Sequence, residues 1–267
     1  MKQFSEIVKA IDENKKDIEI LPTGLKLIDE YLDGGFLKKE LVVLGGGTGR
    51  GKSLFGGTIF YNIARKGYKC AYFSLEISNE MIVSRLIGSE SNISPTRIMI
   101  KLLQEEEEKR KDKARSKMQV FEEFMYFFDS LYEYTAIEKE IKEGKYDFVV
   151  VDFIQNILTK EPDEYQRLST IALNLQKLAK EAKTCILALS QLSNAIAKDK
   201  SHEVVEYKGS GSIGTVCDLG FFIEKSAELP LGSEQNISLR LRKNRRGVSG
   251  QSFDFSVTQP GGRIIDK

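Results

Sequence analysis

An eight-residue segment of the chain has the composition and spacing of a phosphate-binding loop. It fits the pattern G-x-x-x-x-G-K-[ST], and its residues are Gly46, Gly47, Thr48, Gly49, Arg50, Gly51, Lys52 and Ser53. Glycines let consecutive backbone N–H groups turn towards one anion, and the helix that follows aims its positive end at the same anion. The Lys52 ammonium would reach the β- and γ-phosphates, and the Ser53 hydroxyl would bind Mg²⁺. The segment therefore predicts binding of ATP or another nucleoside triphosphate with Mg²⁺.

Two acidic residues end short apolar runs and are candidates for the chemistry at that loop. Asp152 follows the run Phe148–Val151, and Glu76 ends the run that begins at Ala71. Such runs are typical of strands buried on both faces, and ligands bind at the carboxyl ends of strands in open α/β sheets. Asp152 is predicted to hold Mg²⁺, directly or through water, and Glu76 to activate the attacking water. The alternative for Glu76 is an acid that stabilises the start of the next helix.

A polar amide ends a third apolar run. Ser190 and Gln191 follow the run Cys185–Leu189. Gln191 is predicted to sense the γ-phosphate from the tip of a buried strand. The alternative is a cap between strand and loop.

Apolar runs alternate with helical patterns over most of the chain, which predicts an α/β fold with a mainly parallel sheet. Thr135 and Glu138 predict a capping box at one helix, and an antiparallel hairpin is predicted near the C-terminus. The predicted strands are Leu41–Leu44, Cys70–Phe73, Met125–Phe128, Phe148–Val151, Cys185–Leu189 and Leu219–Ile223, and the hairpin strands are Ile237–Leu241 and Ser252–Val257. The predicted helices are Ser53–Arg65, Asn79–Gly88, Thr135–Glu143 and Tyr165–Ala182, with a smaller one at Leu25, Ile28 and Leu32.

The chain opens with a helical pattern that is separate from this alternation. Phe4, Ile7, Val8 and Ile11 have the i, i+3, i+4, i+7 spacing of an amphipathic helix ending near Lys16. Residues 1–17 are therefore predicted to form a short linker-type helix, and residues 18–267 the main domain. The helix either folds back on this domain or reaches a neighbouring subunit.

Composition excludes several classes of protein. The 267 residues contain 40 Lys and Arg against 39 Asp and Glu, which argues against a histone-like protein or an acidic tail. The charged run Glu105–Lys117 is predicted to be a solvated helix. No apolar run approaches the roughly 18 residues of a membrane span, and no signal peptide opens the chain. Cys70, Cys185 and Cys217 lie in apolar runs and are predicted to be reduced core residues of a cytoplasmic protein.

Several motif blocks together resemble the DnaB-like replicative helicases of the RecA superfamily, from about Ile20 to Asp266. Besides the phosphate loop they are Pro22-Thr23-Gly24, Phe73-Ser74-Leu75-Glu76, Val151-Asp152-Phe153-Ile154-Gln155, Leu178-Ala179-Lys180-Glu181, Ala188-Leu189-Ser190-Gln191-Leu192, Ser210-Gly211-Ser212-Ile213 and Arg242-Lys243-Asn244-Arg245-Arg246-Gly247. The resemblance implies a RecA-like P-loop NTPase core and a hexameric ring, with NTP between subunits and single-stranded DNA in the central channel.

The resemblance also assigns roles to residues. Glu76 corresponds to the catalytic glutamate, Asp152 to the Walker B acid and Gln191 to the γ-phosphate sensor. Arg245 corresponds to an arginine finger that reaches the neighbouring subunit's phosphate, with Lys243 beside it. Without the resemblance, the basic block Arg240–Arg246 would equally well be a solvated edge strand.

One further segment corresponds to a DNA-contacting loop of the family. Its residues are Lys208, Gly209, Ser210 and Gly211. Backbone N–H groups and one lysine can hold phosphates without reading bases. The alternative is an ordinary surface loop.

The chain departs from the family pattern in three places. The phosphate loop lacks the usual Arg-Pro-Ser-Met stretch, and Gly209 replaces a family acid. The helical N-terminal domain that forms a collar and recruits primase is absent from this sequence, so an excised or naturally minimal motor domain is expected, with a primase or a helicase loader as a further partner. The expected function is an ATP-driven DNA helicase motor. The alternatives are a RecA/RadA-like recombination or annealing ATPase and a KaiC-like regulatory ATPase acting on proteins.

Overall fold

The structure is a computed structural model that describes residues 3–13, 19–161, 163–191, 211–225 and 235–267. Within these residues the fold is a nine-stranded sheet with helices on both faces, beside a separate two-stranded sheet. The predicted α/β class is confirmed.

The main sheet contains six parallel strands and three antiparallel ones. β1 and β2 form the small sheet, and the main sheet has the order β11-β10-β9-β8-β3-β7-β6-β4-β5. The strands from β5 to β8 in this order are parallel, and β9, β10 and β11 follow as antiparallel strands. The strands are β1 Ile20–Leu21, β2 Phe36–Leu37, β3 Leu41–Gly46, β4 Cys70–Ser74, β5 Met125–Phe128, β6 Phe148–Asp152, β7 Cys185–Gln191, β8 Leu219–Lys225, β9 Gln235–Asn244, β10 Ser252–Val257 and β11 Ile264–Asp266. Both the mainly parallel sheet and the hairpin β9–β10 are confirmed.

The helices lie close to their predicted positions, with four additions. The short helices Pro95–Met99 and Gly211–Val216 and two single turns of 3₁₀ helix, Glu122–Phe124 and Ile154–Asn156, have no counterpart among the predicted elements. The helices are α1 Phe4–Glu13, α2 Lys26–Tyr31, α3 Lys52–Ala64, α4 Asn79–Ser91, α5 Pro95–Met99, α6 Glu105–Gln119, α7 Tyr134–Gly144, α8 Glu164–Glu181 and α9 Gly211–Val216. No helix of this described set is long and apolar enough to cross a membrane.

Each central strand contributes to two cores because successive side chains point to opposite faces. Val42 and Leu44 of β3 pack in one core, together with the apolar side chains of α3. Leu41 and Val43 pack in the other, together with those of α7 and α8. All three cysteines are buried free thiols, as predicted, and burial raises the pKa of Cys217 to about 11.

The predicted capping box at α7 is wrong. The helix begins at Tyr134, its N-cap is Glu133, and that residue makes no side-chain capping bond. Glu133 instead forms a bridge with Leu158, whose carbonyl accepts the Tyr134 N–H. A contact distant in sequence therefore fixes the start of the helix one residue before Thr135.

The turn before α2 is held by one hydrogen-bond network around the buried Thr23. Asp29 accepts hydrogen bonds from the backbone N–H (2.8 Å) and the hydroxyl (2.6 Å) of Thr23 and from the backbone N–H of Gly24 (2.9 Å). Asn62 of α3 donates to the Thr23 carbonyl at 2.9 Å. Gly24 has a φ of +72°, and a Cβ there would overlap Asn62. The Pro22-Thr23-Gly24 block therefore joins α2 to the helix that follows the phosphate loop.

We expect Asp29→Ala to lower the free energy of unfolding by about 1–3 kcal/mol, because the buried Thr23 loses the acceptor for its N–H and O–H groups. Urea denaturation measures the change. Glu30→Ala removes an exposed acid from the same helix and should cost less than about 1 kcal/mol. Equal losses in the two variants would contradict this role of Asp29.

Candidate nucleotide site and the opposite sheet edge

The phosphate loop connects β3 to α3 at the carboxyl edge of the sheet. Gly49 and Gly51 adopt left-handed φ angles of +71° and +96°, and Gly51 is the N-cap of α3. The loop opens onto a pocket of about 390 Å³. Its lining residues are Thr48, Gly49, Arg50, Gly51, Lys52, Ser53, Leu54, Glu76, Ile77, Arg85, Pro95, Gln191, Pro260, Gly261 and Gly262.

Lys52 is a buried cation held by the loop itself. Its Nζ donates to the carbonyl oxygens of Gly46 and Gly47, each at 3.0 Å. Burial lowers the pKa of Lys52, and the negative charges of Asp152 and Glu76 partly oppose that shift. A buried ammonium group whose acceptors in the described chain are two neutral carbonyls gains strongly from an added anion.

Asp152 ends β6 and is only 2% exposed. Its Oδ2 accepts a hydrogen bond from the Tyr72 hydroxyl at 2.7 Å. Burial raises the pKa of Asp152, and the polar groups of Ser53 and Tyr72 and the charges of Arg85 and Lys52 oppose the shift. Its Oδ1 is buried and accepts no hydrogen bond from the described residues.

These residues fit a magnesium ion. A buried carboxylate oxygen without a donor needs a cation or a water to satisfy it. The Ser53 hydroxyl acts on the same carboxylate. Carboxylate and hydroxyl oxygens are hard ligands of the kind that Mg²⁺ prefers.

Glu76 lies at the mouth of the pocket, exposed, two residues beyond the end of β4. The backbone that leads to Glu76 is held by hydrogen bonds of the preceding residue. The Leu75 N–H donates to the Asp152 carbonyl at 2.7 Å, and the Asn156 side chain donates to the Leu75 carbonyl at 2.7 Å. The hydrogen bond between Leu75 and Asp152 therefore links the segment of Glu76, which could activate water, to the segment of Asp152, which could hold the metal.

Gln191 is the last residue of β7 and lines the same pocket. The side chain of Gln155 donates to the Ser190 hydroxyl at 3.0 Å and to the Gln191 carbonyl at 3.3 Å, and its Oε1 accepts the Gln191 N–H at 3.3 Å. These bonds fix the tip of β7 to the turn after Asp152. Sequence reasoning assigned no role to Gln155, although its place three residues after Asp152 was a usable signal.

Other pocket residues were also missed from the sequence. Arg85 of α4 lines the pocket and acts electrostatically on Asp152. Pro260, Gly261 and Gly262 come from the turn between β10 and β11. A Cβ on Gly261 would overlap the backbone of α4 at the Gly88 carbonyl, so this turn packs closely against that helix. No local pattern marks these residues, because the fold alone brings them to the loop.

The end of the basic block, Lys243 to Arg246, lies at the opposite edge of the sheet, whereas Arg240 pairs with Phe222 and is level with Gly45 of β3. Arg245 forms an ion pair with Asp218 at 3.0 Å and donates to the Thr215 carbonyl at 3.1 Å. The Lys243 ammonium donates to the same carbonyl, and burial lowers the pKa of Lys243. The strand β9, which carries most of the block, is paired on one side with β8 and on the other with β10. It is therefore not the outermost strand of the sheet, and the alternative of a solvated edge strand is wrong.

Strand register gives the separation of Arg245 from the phosphate loop of its own chain along the strand direction. Asn244 pairs with Leu219, which pairs with Val42, whereas the loop begins at Gly46. Four residues of strand correspond to about 13 Å. The chain brings Lys52, Glu76, Asp152 and Gln191 together, but it does not bring Lys243 or Arg245 to them.

A family model described as the DnaB-like helicase C terminal domain matches residues 21–257. The chain belongs to this family. The family indicated by the motif blocks is confirmed, and membership implies a nucleotide-binding site.

Sequence relatives of this DnaB-like domain are longer proteins. Replicative DNA helicase DnaB of Treponema pallidum is 31% identical over 257 residues, which cover 92% of this chain and 57% of that protein. Replicative DNA helicase DnaC of Bacillus subtilis is 26% identical over 261 residues, with 93% and 57% covered. The DnaB-like domain therefore spans a little over half the length of these curated relatives.

Solved structures share the fold of the DnaB-like domain. One of them, described as an ATPase domain, superposes with a TM-score of 0.82 at 18% identity, covering 98% of this chain and 96% of that one. A DnaB-like replicative helicase, described together with its interactions with primase, also gives 0.82 at 18% identity and covers 98% and 65%. The predicted RecA-like architecture is confirmed by these superpositions.

The predicted DNA-binding segment is described only at its last residue. Lys208, Gly209 and Ser210 lie outside the described residues, and Gly211 begins α9. Their role in this DnaB-like domain stays a prediction.

We expect Lys52→Met to abolish stabilisation by Mg-ATP without destabilising the nucleotide-free domain. Burial disfavours the charged lysine, so an apolar side chain should leave the melting temperature unchanged or raise it. Mg-ATP should then raise the melting temperature of the wild type but not of the variant. Calorimetry measures both effects.

The pH dependence gives a second readout for Lys52. Because its folded-state pKa is lowered, the cost of burying the charge is present at neutral pH and disappears as alkaline pH removes the proton. Any gain in the variant should therefore shrink at high pH. Lys66→Met, at an exposed lysine beyond α3, should keep the response to Mg-ATP. An equal nucleotide-induced shift in Lys52→Met would rule out this role.

Proposed function

We propose that this chain is the motor of a DnaB-like replicative helicase, which hydrolyses ATP at subunit interfaces of a ring and translocates on single-stranded DNA. The observation that carries the proposal is the division of the machinery between two sheet edges. Lys52, Asp152 and Glu76 line or adjoin one pocket, whereas Arg245 lies at the other edge. A complete site then requires two chains, as in a ring with nucleotide between its subunits.

Hydrolysis would use the pocket residues in distinct roles. Lys52 would exchange the Gly46 and Gly47 carbonyls for phosphate oxygens. Ser53 and Asp152 would hold Mg²⁺, which neutralises charge on the phosphates when it is bound. Glu76 would accept the proton of the attacking water. Gln191 would report the presence of the γ-phosphate to the segment after β7.

Arg245 is suited to act on a neighbouring subunit. Its side chain is 44% exposed, and the Asp218 ion pair and the Thr215 carbonyl engage only part of its guanidinium. A guanidinium has five N–H donors in a fixed plane. The outward-facing donors could stabilise charge on a transferring phosphoryl group.

DNA binding would come from few contacts repeated around the ring. The chain has a formal charge of only +1, so bulk charge cannot hold nucleic acid. We propose the Lys208–Gly211 segment as the backbone contact in each subunit. Phe4, Ile7 and Val8 of α1 are exposed and would pack on another subunit. A primase or helicase loader is a further proposed partner, and the cytoplasm the proposed location.

Strand displacement tests the proposed function directly. The purified chain, with Mg-ATP and a forked DNA substrate, should release the labelled strand, and DNA should stimulate its ATPase activity. Lys208→Ala should weaken that stimulation and leave basal hydrolysis near wild type. Stimulation without displacement would favour a RecA/RadA-like ATPase, and the absence of any DNA effect would favour a regulatory ATPase. The named relatives are replicative helicases, which supports displacement.

We expect Glu76→Gln to bind Mg-ATP like the wild type but to hydrolyse it at least about 100-fold more slowly, because only the general base is lost. Fluorescent-nucleotide titration and phosphate release separate the two effects. Glu80→Gln, at an exposed acid in the first turn of α4, should change neither. Full turnover by the Glu76 variant would place the base elsewhere.

We expect a mixture of two inactive proteins, Arg245→Ala and Lys52→Ala, to recover ATPase activity. In mixed assemblies some interfaces pair an intact phosphate loop with an intact arginine of the neighbour. Arg245→Lys keeps a cation beside Asp218 and is a control for lost folding. No recovery, with mixed assemblies shown by native mass spectrometry, would contradict action between subunits.

A further inference from the structure

The Asp152 carboxylate is oriented by a tyrosine from the neighbouring strand. The Tyr72 hydroxyl of β4 donates a hydrogen bond to Asp152 Oδ2 at 2.7 Å, in a buried contact. In the parallel register of β4 and β6, Tyr72 faces Val150 and Ser74 faces Asp152. The tyrosine therefore reaches diagonally across the ladder towards the carboxyl edge.

The ring of Tyr72 is fixed independently of its hydroxyl group. Phe60 meets it edge-on with a centroid distance of 5.6 Å, and Phe127 stacks on it at 6.5 Å. Both contacts use only the ring, and Tyr72 has no exposed surface. A phenylalanine at this position would keep the packing and lose one hydrogen bond.

The hydroxyl makes the two oxygens of Asp152 different. Oδ2 is engaged by Tyr72, whereas Oδ1 is buried without a hydrogen bond from any described residue. Lys52 and Arg85 both attract the carboxylate. Without the tyrosine bond, the carboxylate would be oriented only by Ser53 and by the charges of Lys52 and Arg85.

We propose that Tyr72 is a positioning residue for the metal site: by engaging Oδ2 it holds the carboxylate so that Oδ1 is presented to the divalent cation. This inference rests on the proposed nucleotide function. In this role Tyr72 contacts neither the nucleotide nor the metal. Removing its hydroxyl should therefore weaken metal binding and leave metal-independent nucleotide binding unchanged.

The test compares Tyr72→Phe with Tyr61→Phe in the full chain. Tyr61 is also a buried tyrosine, but its hydroxyl has no hydrogen-bond partner in the described chain and it does not line the nucleotide pocket. Electron paramagnetic resonance titration measures Mn²⁺ binding in the presence of ADP. Fluorescent ADP titrated in excess chelator measures nucleotide binding without metal.

We expect Tyr72→Phe to weaken Mn²⁺ binding about 10-fold, the lower end of the effect of removing a group that orients a metal ligand. Binding of ADP in chelator should be the same in all three proteins, and Tyr61→Phe should bind Mn²⁺ like the wild type. A high Mn²⁺ concentration should restore the affinity of the Tyr72→Phe variant for ADP.

Three other outcomes would overturn the inference. An unchanged Mn²⁺ affinity would show that the hydroxyl does not orient Asp152 for the metal. An equal loss of ADP binding with and without metal would show a general structural role instead. A wild-type chain that binds no nucleotide under either condition would reject the proposed function, and the role of Tyr72 with it.

Discussion

The parallel direction of the central strands is the constraint on which the arrangement of this site depends. β3, β4, β6 and β7 all end at one edge of the sheet, so the segments that follow them meet there. These segments carry the phosphate loop, Glu76, Asp152 and Gln191. The antiparallel strand β9 returns towards the other edge and places Lys243 and Arg245 beside the amino end of β8. The parallel strands thus bring the pocket residues together at one edge, and the antiparallel strand places Lys243 and Arg245 at the other.

Charges buried at the carboxyl edge show why the site suits a bound nucleotide. Lys52 and Asp152 are both buried, and burial shifts the pKa of each towards its neutral form. Their mutual attraction opposes both shifts. Phosphate oxygens and a divalent cation would complete the set of opposite charges at low cost, because the desolvation has already occurred on folding.

The strands were predictable because buried parallel strands are continuous apolar runs, such as Phe148–Val151. The polar ends Ser74, Asp152 and Gln191 extend those strands, since their backbone pairing comes from neighbouring strands and not from local sequence. Thr135 failed as a cap for the same reason, because Leu158 fixes the start of α7. The phosphate loop, Glu76 and Asp152 were found from local motifs. The contacts of Gln155 and Tyr72 depend on the order β4-β6-β7, in which neighbours are distant in sequence.

The central claim, that one chain carries two incomplete halves of a catalytic site, is tested most directly by the concentration dependence of hydrolysis. ATPase turnover per chain and the fraction of assembled protein, from sedimentation velocity, should be measured over the same concentration range. Turnover is predicted to rise in proportion to assembly and to be near zero where the protein is monomeric. A monomer that hydrolyses ATP at the same rate per chain as the assembly would contradict the account.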